Sequence, residues 1–251
     1  MTDQNEPQSN LERVESFLEL DLQNEREIWL KRPEKLRSLV GTLGMLLPLA
    51  LWLILFTAKI DTSPLDSISH YYYTPAGPVF TMILGILAIF FIIYKYKGRI
   101  DFYITTIIGF AALVVALVPT DNLYKTFKDC AICKDESLTQ TVNHIVGIES
   151  LSWVHYGAAA VFFVGLAYML FFQFTKSNVP KDQLSRGKKI RNLIYRVSAI
   201  IIILSIIAIF ILGKYYEDIA TEYETTFWLE VVAIEVFGIS WFAKGHFFVD
   251  A

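Results

Sequence analysis

The chain has 251 residues, of which 54% are hydrophobic and 19% charged, and its formal net charge is −3. Soluble domains carry about 25% charged residues, and disordered or collagen-like chains are far poorer in apolar residues, so the composition excludes these classes and indicates an integral membrane protein. Because the charge balance is slightly acidic, with a pI near 5.8, we expect no nucleic-acid partner.

Six apolar blocks, each bounded by charged residues, are long enough to cross a bilayer. About 20 apolar residues span the hydrocarbon core, and a segment in lipid must satisfy its backbone hydrogen bonds internally, as a helix does. We therefore predict an all-α polytopic membrane bundle of six transmembrane helices within a domain at 37–246. The predicted spans are 38–58, 77–94, 102–120, 151–175, 197–213 and 226–243.

The segments that flank this domain are polar. Residues 1–36 lack the apolar core and cleavage site of a signal peptide, so we predict a cytoplasmic N-terminal segment. Apolar residues recur at helical spacing between Leu11 and Ile28, which predicts an amphipathic helix at 10–30. Residues 247–251 form a short cytoplasmic tail.

Lys and Arg are distributed unequally between the loops. Seventeen of the 22 fall in the N-terminal segment, the 95–101 and 176–196 loops and the C-terminus, which lie on one side of the predicted bundle. Loops rich in Lys and Arg stay in the cytoplasm. We therefore predict a protein of the bacterial inner (plasma) membrane with both termini cytoplasmic, and membrane lipids as its partners.

The first outer loop carries Asp-Ser-Ile-Ser-His-Tyr-Tyr-Tyr-Thr at 66–74. If this loop begins as a helix, Asp66 lies four residues before His70 on one face, where its carboxylate could orient the imidazole. Ser69 stands beside this histidine. The other interpretation is an interfacial loop whose tyrosines belong to the aromatic belt at the lipid headgroups.

Further candidates follow the third predicted span. Asp121 ends that span, either as a cap and interface residue or as a metal ligand or the holder of a catalytic water. Cys130 and Cys133, the two cysteines of the chain, stand as Cys-Ala-Ile-Cys in the next outer loop. On an oxidising face we expect a disulfide between them. A redox-active pair is the alternative.

Two histidines lie near the start of the fourth predicted span. In one straight helix, His144 and His155 would lie ~16 Å apart along the axis, too far to bind one metal. Gly147 offers a break that would bring His144 back above His155. For both histidines a hydrogen-bonded packing role is the alternative to metal binding.

The sixth predicted span contains two carboxylates. Glu230 lies at its outer end. Glu235 lies near the bilayer midplane, where an acid such as Asp costs roughly 2.5–3.5 kcal/mol. Glu235 is therefore either a proton or ion relay or a neutral, hydrogen-bonded structural residue.

A set of short motifs, spread over residues 36–245, resembles six-helix bacterial integral membrane proteins of unknown function and, more distantly, the Frag1/DRAM/Sfk1-like family. The motifs are Ser69-His70-Tyr71, Gly77-Pro78-Val79-Phe80, Gly109, Val118-Pro119, His155 with Ala158 and Phe162, and Arg191-Asn192. The resemblance implies a six-helix membrane fold and an association with lipid and GPI-anchor remodelling. The outer residue types are also similar to those of alkaline ceramidases and adiponectin receptors, which hold zinc with three histidines on seven helices.

Three functions are compatible with this pattern. The first is a lipid-directed, metal-assisted hydrolase or lipid-remodelling protein, with zinc or another divalent metal as cofactor. The second is a small ion-coupled transporter that uses Glu235 and Glu230. The third is a non-catalytic scaffold or lipid-binding protein, with a second copy of the chain or an unknown protein as partner. For the hydrolase, the metal ligands are His70, His144 and His155, and the catalytic residues are Asp121, Glu230 and Ser69.

We also expect the outer polar residues to converge, because ionisable groups buried without partners are costly. At least three of four residues should line one outward-opening cavity, with Ser69 and Tyr71 at its rim. The four are His70, Asp121, His155 and Glu230.

Overall fold

The computed structural model describes residues 33–59, 63–94, 99–120, 152–177 and 179–245, and every regular element in these ranges is helical. Five of the helices are long and apolar enough to cross a membrane, and another apolar helix is shorter. The described residues therefore form an all-helical bundle with the character of an integral membrane protein. The six helices are α1 (Pro33–Thr57), α2 (Gly77–Ile93, the shorter one), α3 (Arg99–Leu117), α4 (Ser152–Tyr168), α5 (Arg186–Tyr215) and α7 (Thr225–Lys244).

Short helical elements occupy the described connections. A 3₁₀ helix, Ile68–Tyr73, lies between α1 and α2, and a π-helical turn, Met169–Gln173, continues α4. A second 3₁₀ turn, Lys181–Gln183, precedes α5, and the short helix α6 (Glu217–Glu222) lies between α5 and α7.

The six long helices form a closed ring. Each helix from α1 to α5 packs against the next one in the chain, and α7 closes the ring by packing against both α5 and α1. The 3₁₀ helix Ile68–Tyr73 contacts α1, α2 and α7 at one end of this ring. We call that end, which includes Val118–Thr120, the Ser69 end. The opposite end, where α4 ends and α5 begins, is the Lys188 end.

Glycines let neighbouring helices approach closely, as small residues do in membrane bundles. A Cβ added at Gly109 of α3 would lie 2.7 Å from the Ala88 carbonyl oxygen and 2.9 Å from the Ile92 nitrogen of α2. At the crossing of α1 and α7, a Cβ on Gly41 or Gly238 would lie 2.8 or 2.9 Å from the other glycine's carbonyl oxygen. Because backbone atoms stand in the way at both crossings, a larger residue would force the helices apart.

Aromatic rings fill the interior towards the Lys188 end. Trp241 is fully buried, and five ring centroids lie between 5.1 and 6.0 Å from its own. Aromatic pairs of this kind contribute about 0.5–1.5 kcal/mol each beyond the area that they bury. The cluster therefore packs α2, the end of α4 and α7 against one another near the Lys188 end. Its other members are Phe90, Phe91 and Tyr94 from α2 and its end, Phe174 after α4, and Phe237 of α7.

The observed helices differ from the predicted spans mainly at the Lys188 end. Helix α5 begins at Arg186, well before the predicted start at 197. Its N-cap is Ser185, whose hydroxyl accepts the Lys188 N–H at 3.2 Å, and Arg and Lys are good helix formers. An apolar block therefore marks the part of a helix that lies in lipid, and charged residues can extend the helix beyond it. The predicted amphipathic helix at 10–30 and the tail at 247–251 lie outside the described residues.

Candidate functional site

Local side chains hold the 3₁₀ helix at both of its ends. Ser67 has an extended backbone (φ −153°, ψ 153°), and its hydroxyl accepts the N–H of Ser69 at 3.1 Å. At the other end, Thr74 Oγ1 donates to the Tyr71 carbonyl at 2.7 Å and accepts the N–H of Ala76 at 3.1 Å. Ser and Thr make such bonds where helices begin and end. The loop therefore fixes the backbone of Ser69 by its own sequence.

The Glu230 carboxylate joins this loop to the first turns of α7. Its Oε1 and Oε2 lie 3.0 and 2.9 Å from the donating Ser67 Oγ, and Oε2 also accepts the N–H of Ile68 at 2.7 Å. Nearby, the Phe227 N–H donates to the Asp66 carbonyl at 3.0 Å. The two donors to Glu230 belong to consecutive residues of the loop, so one carboxyl group holds both a side chain and the backbone of the loop. Helix α7 therefore anchors the start of the 3₁₀ helix.

His155 connects α4 to both α3 and Ser69. The residue is 2% exposed, its Nδ1 lies 2.6 Å from the Val118 carbonyl oxygen, and its Nε2 lies 2.9 Å from Ser69 Oγ. A carbonyl only accepts hydrogen bonds, so Nδ1 carries the hydrogen. In the neutral ring Nε2 is then the acceptor, and the Ser69 hydroxyl donates to it. This is the arrangement in which an imidazole can act as general base for a serine.

Two tyrosines tie the same end together. Tyr73 donates its hydroxyl to the Thr120 carbonyl at 2.7 Å, and Thr120 Oγ1 lies 3.1 Å from the Tyr156 hydroxyl. Tyr71, which we expected at the rim, is instead fully buried, with its hydroxyl 3.4 Å from the Leu65 nitrogen. A 3₁₀ helix has three residues per turn, so Tyr71 and Tyr73, which are two residues apart, lie on different sides of it. Tyr71 lies on the inner side.

An apolar groove of about 440 Å³ lies between α3 and α4 on the outer surface of the ring. Its upper residues, Val114 and Val154, are within about one helical turn of Val118 and His155. The groove therefore begins at about the level of Val118 and His155, although neither of them nor Ser69 lines it, and it runs towards the middle of the bundle. Its other lining residues include Ile107 and Phe110 of α3 and Gly157 and Val161 of α4.

The predicted site residues are placed as follows. Ser69, His155 and Glu230 are brought together through Ser67, and His70 lies in the same 3₁₀ helix, partly buried. Glu235 lies further along α7, half-buried, and its carboxylate makes no hydrogen bond or ion pair within the described part of the chain. Asp121, Cys130, Cys133 and His144 lie outside the described residues, and so the predicted disulfide stays a prediction.

The hydrogen bonds of His155 bear on the predicted zinc site. Both ring nitrogens of His155 already have partners, so His155 would have to give up Ser69 or Val118 to ligate a metal. Among the residues that the structure describes, no three His, Cys, Asp or Glu side chains come together as metal ligands. His70 and His155 alone therefore do not make a metal centre.

Sequence reasoning missed the two groups that link the site. Ser67 connects Glu230 to Ser69, and the Val118 carbonyl orients His155. The Ser-x-Ser spacing at 67–69, where the first serine caps the turn that holds the second, is a signal that could have indicated the first link. A backbone carbonyl gives no sequence signal.

No family model matches this chain, and neither the curated proteins nor the solved structures include a match to it.

Proposed function

We propose that this chain is a six-span protein of the bacterial inner membrane that hydrolyses an acyl ester of a membrane lipid at the outer leaflet. Ser69 is the nucleophile and His155 the general base. The observation that carries the proposal is the 2.9 Å hydrogen bond between Ser69 Oγ and His155 Nε2, with Nδ1 held by a carbonyl. Both termini lie in the cytoplasm and the Ser69 end faces outward, as the distribution of Lys and Arg supports.

The six-span count rests on α2, the shortest of the long helices. Its 17 residues reach ~26 Å at 1.5 Å per residue, at the lower limit for a span. Gly77 and Pro78 begin it directly after the loop, and Pro is well suited to a first helical turn. Since α2 packs between α1 and α3 in the closed ring, it belongs to the membrane domain.

The chemical step is an acyl transfer. The Ser69 hydroxyl proton passes to His155 Nε2 as Oγ attacks the ester carbonyl, and the departing alcohol takes that proton when the ester C–O bond breaks. Water then attacks the acyl-serine, gives its proton to Nε2, and releases a fatty acid as the proton returns to Ser69 Oγ. The products are therefore a fatty acid and a lysolipid or alcohol.

The neighbouring groups position this pair. The Val118 carbonyl selects the tautomer with the hydrogen on Nδ1, the task that a carboxylate performs in a catalytic triad. Glu230, acting through Ser67, fixes the backbone of Ser69. Both are positioning groups, since neither contacts the reacting atoms.

The apolar groove supports a lipid as substrate. At about 440 Å³, it falls in the size range of ligand pockets, ~300–1,000 Å³. It opens on the outer surface of the ring and begins at about the level of His155, so an acyl chain in the groove would bring its ester to the level of the Ser69 end. The zinc-dependent form of the hydrolase, which uses His70, His144 and His155, stays a prediction and requires a different placement of His155.

The test is lipid hydrolysis by the purified protein. In mixed micelles with a diacyl phosphatidylglycerol, the wild-type protein should release fatty acid, and Ser69→Ala should lower the rate by about 10³-fold or more. Ser63→Ala, on the exposed part of the same loop, is the matched control and should keep the wild-type rate. Equal rates for Ser69→Ala and wild type, with both proteins folded, would remove Ser69 from the chemistry.

A further inference from the structure

Three hydrogen bonds meet on the short segment of backbone that directly follows α3. His155 donates from Nδ1 to the Val118 carbonyl at 2.6 Å. Tyr73 donates its hydroxyl to the Thr120 carbonyl at 2.7 Å. The Tyr156 hydroxyl lies 3.1 Å from Thr120 Oγ1. Side chains from α4 and from the 3₁₀ helix therefore hold this segment from two sides.

The sequence of the segment explains why the Val118 carbonyl is available to a side chain. The Val118 N–H donates to the Val114 carbonyl at 2.8 Å and so closes the last turn of α3. Pro119 follows, and a proline has no N–H and disfavours the helical conformation in the residue before it. The helix therefore ends here. Carbonyls at the end of a helix have no partner within the helix, and His155 provides the partner for this one.

The same contacts form a closed circuit through Ser69. His155 Nε2 lies 2.9 Å from Ser69 Oγ, and Ser69 and Tyr73 belong to the same 3₁₀ helix. The circuit runs from Ser69 to His155, along the backbone from Val118 to Thr120, and back through Tyr73. A shift of the segment after α3 would therefore move His155 relative to Ser69.

Of the two tyrosines in this network, Tyr73 makes the firmer link. Tyr156 is 56% exposed, and it contacts a side-chain hydroxyl, which can rotate. Tyr73 is partly buried and donates to the backbone of Thr120, a residue that is 2% exposed. A hydrogen bond exposed to water is easily exchanged for one to water, whereas a buried carbonyl that loses its donor is costly.

We propose that Tyr73 is a positioning residue for the general base. By holding the Thr120 carbonyl, it keeps the Val118 carbonyl on Nδ1 of His155. This role rests on the proposed function, in which His155 takes the proton of Ser69. In a catalytic triad a carboxylate holds the corresponding ring nitrogen. Here the backbone at the end of α3, fixed by a tyrosine from the loop that carries the nucleophile, has that task.

The first test observes His155 without turnover, by NMR of the detergent-solubilised full chain labelled with ¹⁵N-histidine. The two ring nitrogens are distinguishable by which one carries the hydrogen, and His155→Gln identifies the signals of His155. The wild-type protein should show the tautomer with the hydrogen on Nδ1. Tyr73→Phe should show a mixture of both tautomers, because the Val118 carbonyl is then held less firmly.

Tyr72→Phe is the matched control. It removes a hydroxyl from the neighbouring residue of the same 3₁₀ helix, and that hydroxyl makes no hydrogen bond within the described part of the chain. Its His155 signals should be those of the wild type. Tyr73→Phe keeps the ring and its contact with Tyr72, at 5.3 Å between centroids, so both variants should fold.

The second test measures hydrolysis of a diacyl phosphatidylglycerol in mixed micelles. Tyr73→Phe should lower kcat by about 3- to 10-fold, the effect of one hydrogen bond, and leave KM nearly unchanged. Tyr72→Phe should keep the wild-type kcat. In a His155→Gln background, Tyr73→Phe should have no further effect, because Tyr73 acts through His155.

The outcomes separate the role of Tyr73 from the proposed function. The wild-type tautomer in Tyr73→Phe would overturn the role of Tyr73, even in a protein that hydrolyses lipid. A kcat of the double variant well below that of His155→Gln would overturn it as well, since Tyr73 would then act independently of His155. If the wild-type protein releases no fatty acid, the proposed function fails, while a mixture of tautomers in Tyr73→Phe would still support positioning of His155 by Tyr73.

Discussion

The Glu230 carboxylate is the side chain through which α7 fixes the position of Ser69. It accepts the hydroxyl of Ser67 and the N–H of Ile68, two donors that would otherwise be partly buried without partners. Glu230→Gln keeps the shape of the side chain but turns one of the two acceptor oxygens into a donor group. We expect it to lower the free energy of unfolding by about 1–3 kcal/mol.

The same variant separates positioning from direct chemistry. If Glu230 only positions Ser69, Glu230→Gln should lower kcat for lipid hydrolysis, leave KM nearly unchanged, and keep the wild-type pH profile. Ser67→Ala should give the same pattern, since Glu230 acts through Ser67. Loss, in Glu230→Gln, of a pH dependence that the wild type shows would instead show that the carboxylate titrates during the reaction.

Asp66 supplies a prediction on pH at the same loop. Burial raises the pKa of Asp66 above its ordinary value of 3.8, so the folded protein holds this proton more tightly than the unfolded chain. The free energy of unfolding therefore falls as the pH rises from 3.8 to the raised pKa of Asp66. Above that pKa it stays at the lower value. Asp66→Asn should have a higher Tm than wild type at pH 7 and the same Tm below pH 3.8. A difference in Tm that does not change with pH would contradict this.

At the scale of the element, the crossing of α2 and α3 depends on one glycine. A Cβ at Gly109 would meet the backbone of Ala88 and Ile92, whereas nothing lies within 4 Å of a Cβ at Gly85. Gly109→Ala should therefore cost about 1–3 kcal/mol of stability through overpacking. Gly85→Ala, in α2, should be neutral or stabilising by up to about 1 kcal/mol. Thermal unfolding of the two variants in detergent measures both, and equal effects would show that the helices do not meet at Gly109.

The helices could largely be predicted from the sequence, because long apolar blocks bounded by charges have few other stable forms in a membrane. The prediction was weakest where hydropathy carries no information. Charged residues extend α5 to Arg186, and the π-helical turn at Met169–Gln173 interrupts an otherwise uniform apolar block. Both depend on capping and packing at the Lys188 end.

The site could be predicted only as a set of residue types. Ser69 and His155 are 86 positions apart, and Ser67 and Glu230 are 163 apart. Their contacts depend on how the ring of helices closes, which no local pattern encodes. The Ser69 end therefore emerges from the packing of α3, α4 and α7 around one capped loop.

At the scale of the whole molecule, the orientation in the membrane is the prediction with the widest consequences. In a Cys130→Ser/Cys133→Ser background, a cysteine placed at Thr221, between α5 and α7, should react with an impermeant thiol reagent added outside the cell. One placed at Ser177, between α4 and α5, should be protected. Both positions are exposed in the structure, so access depends on the side of the membrane alone. The reverse pattern would turn the Ser69 end towards the cytoplasm.

The most direct test of a serine activated by His155 is covalent labelling with a fluorophosphonate, which phosphonylates a reactive serine hydroxyl and releases fluoride. Mass spectrometry of the labelled protein should place the adduct on Ser69 and leave Ser67 unmodified. Ser69→Ala should abolish labelling, and His155→Gln should slow it by about 10²-fold or more, the scale of general-base assistance. An unlabelled wild-type protein, or labelling at the same rate without His155, would contradict a Ser69–His155 catalytic pair.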